Sequence, residues 1–236
     1  MSLPSHVLDR MHTHVDLWRS AADDRALFLD CYRRMSENVL DAISCDEFAD
    51  CAWVERLLHR FADYYFVALE AFEADPTAAP AVWRHAHLIT RAPDVSPVQK
   101  LLVGVSAHIN YDLVLTLDDL LRPEWTALTE AARRARYDDH CRINAVIGRT
   151  IDTVQDEVLG PAMPVMALLD HVLGPVDEML ASLLISRWRE SVWANTARLL
   201  VVDTPDERAR EVRRIEAEAL QTARLMCFGG AQSSTI

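Results

Sequence analysis

The sequence has little glycine, and this scarcity argues against several classes of site. Only 6 glycines occur among 236 residues, which leaves little material for tight hairpins, whose turns favour glycine. The chain has neither a G-x-G-x-x-G nor a G-K-[ST] loop, so a loop that cradles nucleotide phosphates is not expected. A G-x-S-x-G nucleophile elbow is absent as well.

Basic residues are also few relative to acidic ones. The chain carries 24 Lys and Arg against 36 Asp and Glu, for a net charge of -12. No basic run concentrates these cations on one segment, so the protein would repel a phosphate backbone. Nucleic acid is therefore not an expected partner.

Long apolar runs and paired cysteines are missing too. The 5 cysteines are odd in number and form no C-x-x-C, which fits reduced structural thiols better than a disulfide frame or a zinc knuckle. The apolar stretch around 163–176 is interrupted by Asp170, His171 and Pro175, so no membrane span is predicted. The N-terminus lacks the apolar region of a secretory signal, and we expect a cytoplasmic protein without a membrane partner.

What the sequence does contain is helical periodicity along almost its whole length. It predicts an all-α, single-domain, multi-helix bundle over 1–228, followed by a flexible tail at 229–236. Helices in 1–45 are expected to pack on a core formed by 48–202. The segment at about 98–121 is apolar on nearly every side and is the predicted buried central helix.

Helix ends are predicted at Pro, Gly and Asp positions. Ser96 followed by Pro97 gives a strong helix start, and a long core helix is expected from Phe48 to Ala74. Near the middle of the chain, a short helix at 125–136 is predicted to end before Asp138 or Asp139, either of which would cap a further helix reaching Leu159.

The central helix contains the most informative pair of residues. His108 and Asp112 are four residues apart, hence on one helix face, and they continue an apolar stripe. A carboxylate buried there without a partner would cost several kcal/mol. The pair is interpreted either as a metal-ligand or acid/base site, or as a buried hydrogen bond that only braces the bundle.

The same H-x-x-x-D spacing recurs at His12/Asp16 and at His59/Asp63. The first pair is expected on the surface. His59 and Asp63 lie on the long core helix and would face the central helix if the two pack antiparallel. The sequence therefore predicts a metal site, for zinc, iron or manganese, whose ligands are His59, Asp63, His108 and Asp112, with a metal-free site as the alternative.

Further polar residues complete the predicted site. Asp139 and His140 are candidate catalytic residues, although Asp139 can equally be a helix cap. Predicted substrate contacts are Trp83, His87, Asn110, Asn144, Arg187 and Trp193. Trp193 and Arg187, together with Trp188 and Arg198, can alternatively be core aromatics and helix-dipole or ion-pair partners. No E-x-x-H or H-E-x-x-H motif occurs, which argues against a di-iron bundle and a zinc protease.

These segments together resemble a known family. The stretches 61–65, 80–84, 97–113, 139–144 and 187–194 resemble the DUF5995 family of uncharacterised helical bacterial proteins, and the most specific part is the family's Asn-Ala-His-Ile-Asn-x-Asp-Leu signature. This sequence has Ser106 where the signature usually has Asn, and His140 where an aromatic is usual. The resemblance implies a helical fold with a shared polar core and implies no reaction. The site candidates that it supports are His108, Asn110, Asp112, Asp139 and Asn144.

Three functions remain open from the sequence. The first is an enzyme that performs a biosynthetic step, such as hydrolysis, cyclisation or elimination, on a small and largely apolar molecule in an internal pocket. The second is a protein that binds such a molecule without chemistry, and the third is a structural or interaction protein whose polar core only fixes helix packing. A homo-oligomer is compatible with each of the three.

Overall fold

The computed structural model describes residues 3–154 and 178–227, and these ranges consist of helices and short connections with no strand. The all-α class is therefore confirmed. The predicted tail at 229–236 lies outside the described residues. The helices are α1 (Leu3–Ser20), α2 (Arg25–Ser44), α3 (Cys51–Ala74), α4 (Ala81–Ile89), α5 (Pro97–Ala107), α6 (Leu113–Leu121), α7 (Glu130–Val154), α8 (Glu178–Leu200) and α9 (Pro205–Leu225).

The predicted central helix is present and is surrounded by the others. It consists of α5, a π-helical turn at His108–Asp112 and α6. Helices α2, α4 and α9 pack on α5, whereas α3 and α8 pack on α6, and α8 also contacts the π-turn. Leu113, Val114 and Leu115 follow one another at steps of about 100° around the helix and are all buried, so this rod is covered on different sides. The apolar character that the sequence shows all round this segment thus has a direct cause in its packing.

The start of the central helix is fixed by its cap. The Ser96 side chain accepts a hydrogen bond from the backbone of Gln99, and the Gln99 side chain accepts one from the backbone of Ser96. This reciprocal capping box, with Pro97 at the first helical position, satisfies two backbone donors that the helix itself cannot. The Gln99 amide also donates to the backbone oxygen of Met226, which joins the start of α5 to the end of α9.

One predicted boundary is wrong. The sequence predicts two helices separated near Asp138 and Asp139, but α7 is a single helix over Glu130–Val154. Asp138 pairs with Arg134 one turn earlier, and Asp139 bonds to another helix. Asp is common at helix caps, but it is tolerated within a helix when its carboxylate has a partner outside the local backbone.

A buried ion pair holds the far end of the central helix. Asp118 is fully buried on α6, and it accepts hydrogen bonds from Arg122 at 2.7 Å and from Arg208 of α9 at 2.6 Å. Two charged donors offset the cost of removing this carboxylate from water. Part of the acidic surplus of the sequence is therefore internal.

Among the described helices, none is both long enough and apolar enough to cross a membrane.

Gly104 sets how closely α2 approaches α5. A Cβ atom at this position would lie 2.8–2.9 Å from three atoms of the Phe28 side chain, closer than any van der Waals contact. The missing side chain therefore lets α2 place Phe28 and, one turn later, Tyr32 beside the π-turn.

We expect Gly104→Ala to destabilise the protein despite the better helix propensity of alanine. Propensity favours Ala over Gly by about 1 kcal/mol, whereas overpacking of a filled core costs about 1–3 kcal/mol. Urea unfolding should show a net loss, and combining the change with Phe28→Leu should cost less than the sum of the two single variants. Strict additivity of the two changes would contradict the close contact.

Candidate functional site

His108 and Asp112 form a buried pair within the π-turn. The turn is closed by a hydrogen bond from the Leu113 backbone N–H to the His108 carbonyl oxygen, one residue longer than in an α-helix. His108 Nδ1 lies 2.8 Å from Asp112 Oδ2, and the two residues are 3% and 1% exposed. Single π-turns inside α-helices are frequent at functional sites.

The partner that the sequence analysis required for Asp112 is Trp83. The Trp83 indole Nε1–H lies 3.0 Å from Asp112 Oδ1 and 2.9 Å from Oδ2, and thus donates across both carboxylate oxygens. Trp83 lies on α4 and is 1% exposed. Among the residues that the structure describes, the partners of this buried carboxylate are therefore an indole and a neutral imidazole, and none is a Lys or Arg side chain.

Aromatic rings enclose the imidazole of His108. The Phe61 ring stacks on it, with 3.5 Å between the ring centroids and 10° between the planes, and the Tyr32 ring meets it edge-on at 4.3 Å. Three further rings lie 5.6–6.1 Å from it, those of Phe28, Tyr65 and Trp83. These rings, contributed by α2, α3 and α4, give the pair an apolar surrounding.

Burial shifts the pKa of both members of the pair. It raises the pKa of Asp112 well above its usual value, against the effect of the hydrogen bond from Trp83, and it lowers the pKa of His108 well below that of an exposed histidine. His108 is therefore neutral near pH 7. The Trp83 N–H donates to both oxygens of Asp112 and so favours the carboxylate form against the effect of burial. With Asp112 as the carboxylate, the proton between the two groups belongs to His108 Nδ1, which leaves Nε2 with a free lone pair.

Two buried polar atoms of this ring cluster have no partner among the described residues. They are His108 Nε2 and the Tyr32 hydroxyl oxygen. Leaving such an atom without a hydrogen bond costs about 1–3 kcal/mol. Each of these two atoms would be stabilised by a hydrogen bond to a ligand atom or a water molecule.

His87 lies behind Trp83, and its ring stacks on the indole with 5.4 Å between the centroids. Burial lowers the pKa of His87 to about 3, and its Nε2 has no partner within the described part of the chain. A small cavity beside it, with a volume of about 10 Å³, is bordered by Arg25, Trp83 and Lys100. This volume suffices for about one water molecule.

The four predicted metal ligands are not brought together. Asp63 is 59% exposed, and its nearest cation is Arg60 at 3.9 Å. Phe61, between His59 and Asp63 in the chain, is the residue that faces His108. Across residues 3–154 and 178–227, no group of three or more His, Cys, Asp or Glu side chains is placed to hold a metal. The structure thus corrects the predicted ligand set.

Asp139 lies away from the His108–Asp112 pair and binds the backbone at the start of another helix. Its two oxygens accept hydrogen bonds from the backbone N–H groups of Ala49 and Asp50, both at 2.8 Å. It therefore binds the N-terminal end of α3, which begins ten residues or about 15 Å before Phe61. The alternative that Asp139 is a helix cap is wrong, because Asp139 lies within α7 and binds the two residues that precede α3, whose cap is Asp50.

Predicted residues from α7 and α8 form a second cluster. His140 contacts Arg189 through three hydrogen bonds of 2.6–3.2 Å, and the Trp193 ring lies 5.4 Å from the imidazole. Asn144 is one turn further along α7. The predicted residue Arg187 is exposed, whereas Arg189 is buried. Sequence reasoning therefore missed Arg189.

Asn110 lies on the π-turn but bonds within its own helix. Its side-chain amide donates to the Ser106 hydroxyl at 3.1 Å. Sequence reasoning also missed the α2 rings of Phe28 and Tyr32, because apolar aromatic residues on a helix read as ordinary core. The available signal was the hydroxyl of Tyr32 on an otherwise apolar face.

The comparisons with known proteins give one finding. The model of a family of unknown function, DUF5995, matches residues 5–228, which is nearly the whole chain. This confirms the resemblance identified from the sequence. Neither the curated proteins nor the solved structures contain a match to the chain.

We expect Trp83→Phe to cost more stability than Trp53→Phe. Both indoles are 1% exposed, but Trp83 donates to a buried carboxylate, whereas Trp53 Nε1 has no partner in the described residues. Loss of hydrogen bonds to a charged group costs about 1.5–3 kcal/mol. The difference in unfolding free energy between the two variants, measured in urea, should fall in this range. Equal losses would show that the bond contributes nothing.

We expect His87 to make the protein sensitive to acid. Its pKa is about 3 in the folded state and about 6.5 in an unfolded chain, so the unfolded state binds the proton first as pH falls. The unfolding free energy should therefore decrease below pH 6.5, by about 2 kcal/mol at pH 5 from this residue. The decrease in unfolding free energy between pH 6.5 and pH 5 should be smaller by that amount in His87→Leu. The same decrease should be unchanged in His6→Gln, which replaces an exposed histidine.

Proposed function

Because the chain belongs to the DUF5995 family, whose function is unknown, we propose its function from the site itself. The protein is proposed to be an enzyme that acts on a small and largely apolar molecule, with His108 as the general base. The observation that carries the proposal is the free Nε2 of a buried neutral imidazole whose Nδ1 is bonded to a carboxylate. This is the arrangement that a general base requires.

Each residue of the site has a distinct role in this proposal. His108 Nε2 accepts a proton from a substrate C–H or O–H group, or from water, and becomes an imidazolium. The Asp112 carboxylate, 2.8 Å from Nδ1, stabilises that positive charge and holds the tautomer. Trp83 acts on Asp112 alone, since its indole fixes both carboxylate oxygens. Trp83 is thus a positioning residue.

The surroundings support an apolar substrate. The rings of Tyr32 and Phe61 are the closest to the imidazole, and an apolar site excludes the water that would compete for the base. The Tyr32 hydroxyl lacks a partner among the described residues, and burial raises its pKa well above the usual value. It therefore stays protonated and is suited to donate a hydrogen bond to a substrate oxygen. Hydrolysis, cyclisation and elimination are the proposed reaction types, since each can begin with removal of a proton.

A second candidate function is a non-catalytic brace. The His108 ring is 3% exposed and stacks directly on Phe61, which is typical of a core residue. In this alternative the hydrogen bonds to Asp112 join α4 to the central helix. The protein then either binds small molecules without catalysing a reaction or does not bind them. The two candidates differ in what His108 contributes, namely activity in the first and stability in the second.

We expect the purified protein to accelerate one of two test reactions. The first is proton abstraction from nitrobenzisoxazole, a small planar molecule whose ring opens when a base removes its C–H proton. The second is the hydrolysis of p-nitrophenyl acetate, butyrate and octanoate. His108→Gln should lower the rate by about 10²-fold or more. His12→Gln, at an exposed histidine on α1, should leave it unchanged. Because burial lowers the pKa of His108, the rate should stay on its plateau below pH 6.5.

Equal rates in the wild type and His108→Gln would contradict the proposed base. A large loss of unfolding free energy in the same variant, without any change in rate, would favour the brace. Metal analysis of the purified protein provides a separate check. Stoichiometric zinc, iron or manganese that disappears in His108→Ala would restore a metal-assisted version of the same site.

A further inference from the structure

Four consecutive helices enclose the His108 imidazole and the small cavity beside His87. Helix α2 packs on α3, α3 on α4, α4 on α5, and α5 on α2, so each of the four helices contacts the next. Side chains from α2, α3 and α4 surround the imidazole, and side chains from the same helices border the cavity together with α5. The cavity and the imidazole therefore lie within one enclosed space.

A spacing of four residues connects the cavity with the imidazole on each of these helices. One residue of each pair borders the cavity, and the other either is His108 or has its ring 3.5–6.0 Å from the imidazole. The pairs are Phe28 and Tyr32 on α2, Tyr65 and Phe61 on α3, His87 and Trp83 on α4, and Gly104 and His108 on the central helix. Residues four apart share a helix face and are one turn, or about 6 Å, apart along it. The cavity thus lies one helical turn from the imidazole.

The Phe28 ring lies between the cavity and the imidazole. Its centroid is 5.6 Å from that of the imidazole, and the side chain also borders the cavity. Phe28 reaches across to the other three helices, since its ring lies 5.3 Å from that of Tyr65 and 5.5 Å from that of Trp83. On α5, Gly104 leaves the room that the ring occupies.

The outer end of the cavity is polar and close to the protein surface. Arg25 and Thr90, which border it, are partly exposed. Arg25 and Lys100 are each paired with carboxylates at 2.7–2.9 Å. Because both cations already have partners, this entrance favours an uncharged substrate over an anion.

Phe28 is held by packing alone, because its side chain has no polar atom. Trp83 also borders the cavity, but its indole is bonded to Asp112 and cannot move without breaking that bond. Displacement of the Phe28 ring would join the cavity to the imidazole and leave room for a group about the size of one six-membered ring. Building on the proposed function, we propose that the substrate reaches His108 from the cavity past Phe28, and that Phe28 determines which uncharged, apolar groups are accepted.

The path is tested on the full chain with the p-nitrophenyl esters, counting only the part of each rate that is lost when His108→Gln is added. Phe28→Ala should raise the ratio of kcat/KM for the octanoate to that for the acetate by about tenfold or more, because the longer chain can then enter. The matched control is Phe66→Ala on α3. Phe66 is 2% exposed, and its ring contacts those of His14 and Tyr65, so the ratio should not change. If Phe28→Ala fails to fold, Phe28→Leu should show a smaller rise in the same direction.

A second measurement does not depend on activity. Benzene has the size of the removed ring and should bind in the space that Phe28→Ala creates. It should therefore shift the NMR signals of the His108 imidazole, which are identified by their absence from His108→Gln. The same signals should not move when benzene is added to Phe66→Ala.

The outcomes separate the path from the proposed reaction. Benzene that shifts the His108 signals, in a protein without any His108-dependent rate, would support the path and contradict the base. A His108-dependent rate with the same ester ratio in the wild type, Phe28→Ala and Phe28→Leu would overturn the path and leave the base in place. His108 signals that do not respond to benzene in Phe28→Ala would also overturn the path.

Discussion

The burial of one carboxylate, Asp112, is the constraint on which the centre of this bundle depends. An ionised carboxylate in an apolar interior is tolerated only when hydrogen-bond donors surround it. Here the donors are the Trp83 indole and the His108 imidazole, so α4 and the central helix cannot move apart without exposing an unpaired charge. The same two bonds hold the imidazole in one tautomer. Asp112 therefore contributes both to the stability of the fold and to the proposed activity. For this reason, stability and activity must be measured in the same variants.

The polar interior is divided into two clusters of opposite character. Around Asp112 the buried group is a carboxylate whose hydrogen-bond donors are neutral, whereas at the α7–α8 interface the buried group is the Arg189 guanidinium, which bonds to a neutral imidazole and has the charge of Glu190 nearby. A third charged group, Asp118, is paired directly with two arginines. Asp118 and the buried Asp30, which accepts hydrogen bonds from Arg19 and Arg33, resemble ordinary buried ion pairs. The two incompletely balanced clusters are where the protein departs from the pattern that maximises stability, and functional sites concentrate at such departures.

The sequence predicted the fold well because helix signals are local. The helix start at Ser96 and Pro97 and the all-round apolar character of the central helix both follow from neighbouring residues, and both are confirmed. The pairing of His108 with Asp112 was also predictable, since a spacing of four places both on one face. The π-turn was not predictable, because it depends on how several helices pack around the rod.

The composition of the site depended on contacts between distant segments, and there sequence reasoning was less successful. Trp83 was a candidate, but its bond to Asp112 joins residues 29 apart. Asp139 was a candidate site residue, and nothing local shows that it accepts a hydrogen bond from the backbone of Ala49. Arg187 was chosen over Arg189 although they are two residues apart, since the low hydrophobic contrast between the faces of α8 gives no sign of which side is buried.

The π-turn also affects how this protein tolerates changes in length. A π-turn amounts to one residue inserted into an α-helix, and one residue corresponds to about 100° of rotation about the helix axis. Deleting a single residue within His108–Asp112 would let the rod become a regular α-helix, and α6 would then rotate relative to α5 by that angle. The Asp118 ion pair and the Trp83 bond could not both survive the rotation. One extra residue in the π-turn thus fixes the rotation of α6 relative to α5. Insertions and deletions should therefore be confined to the connections between helices.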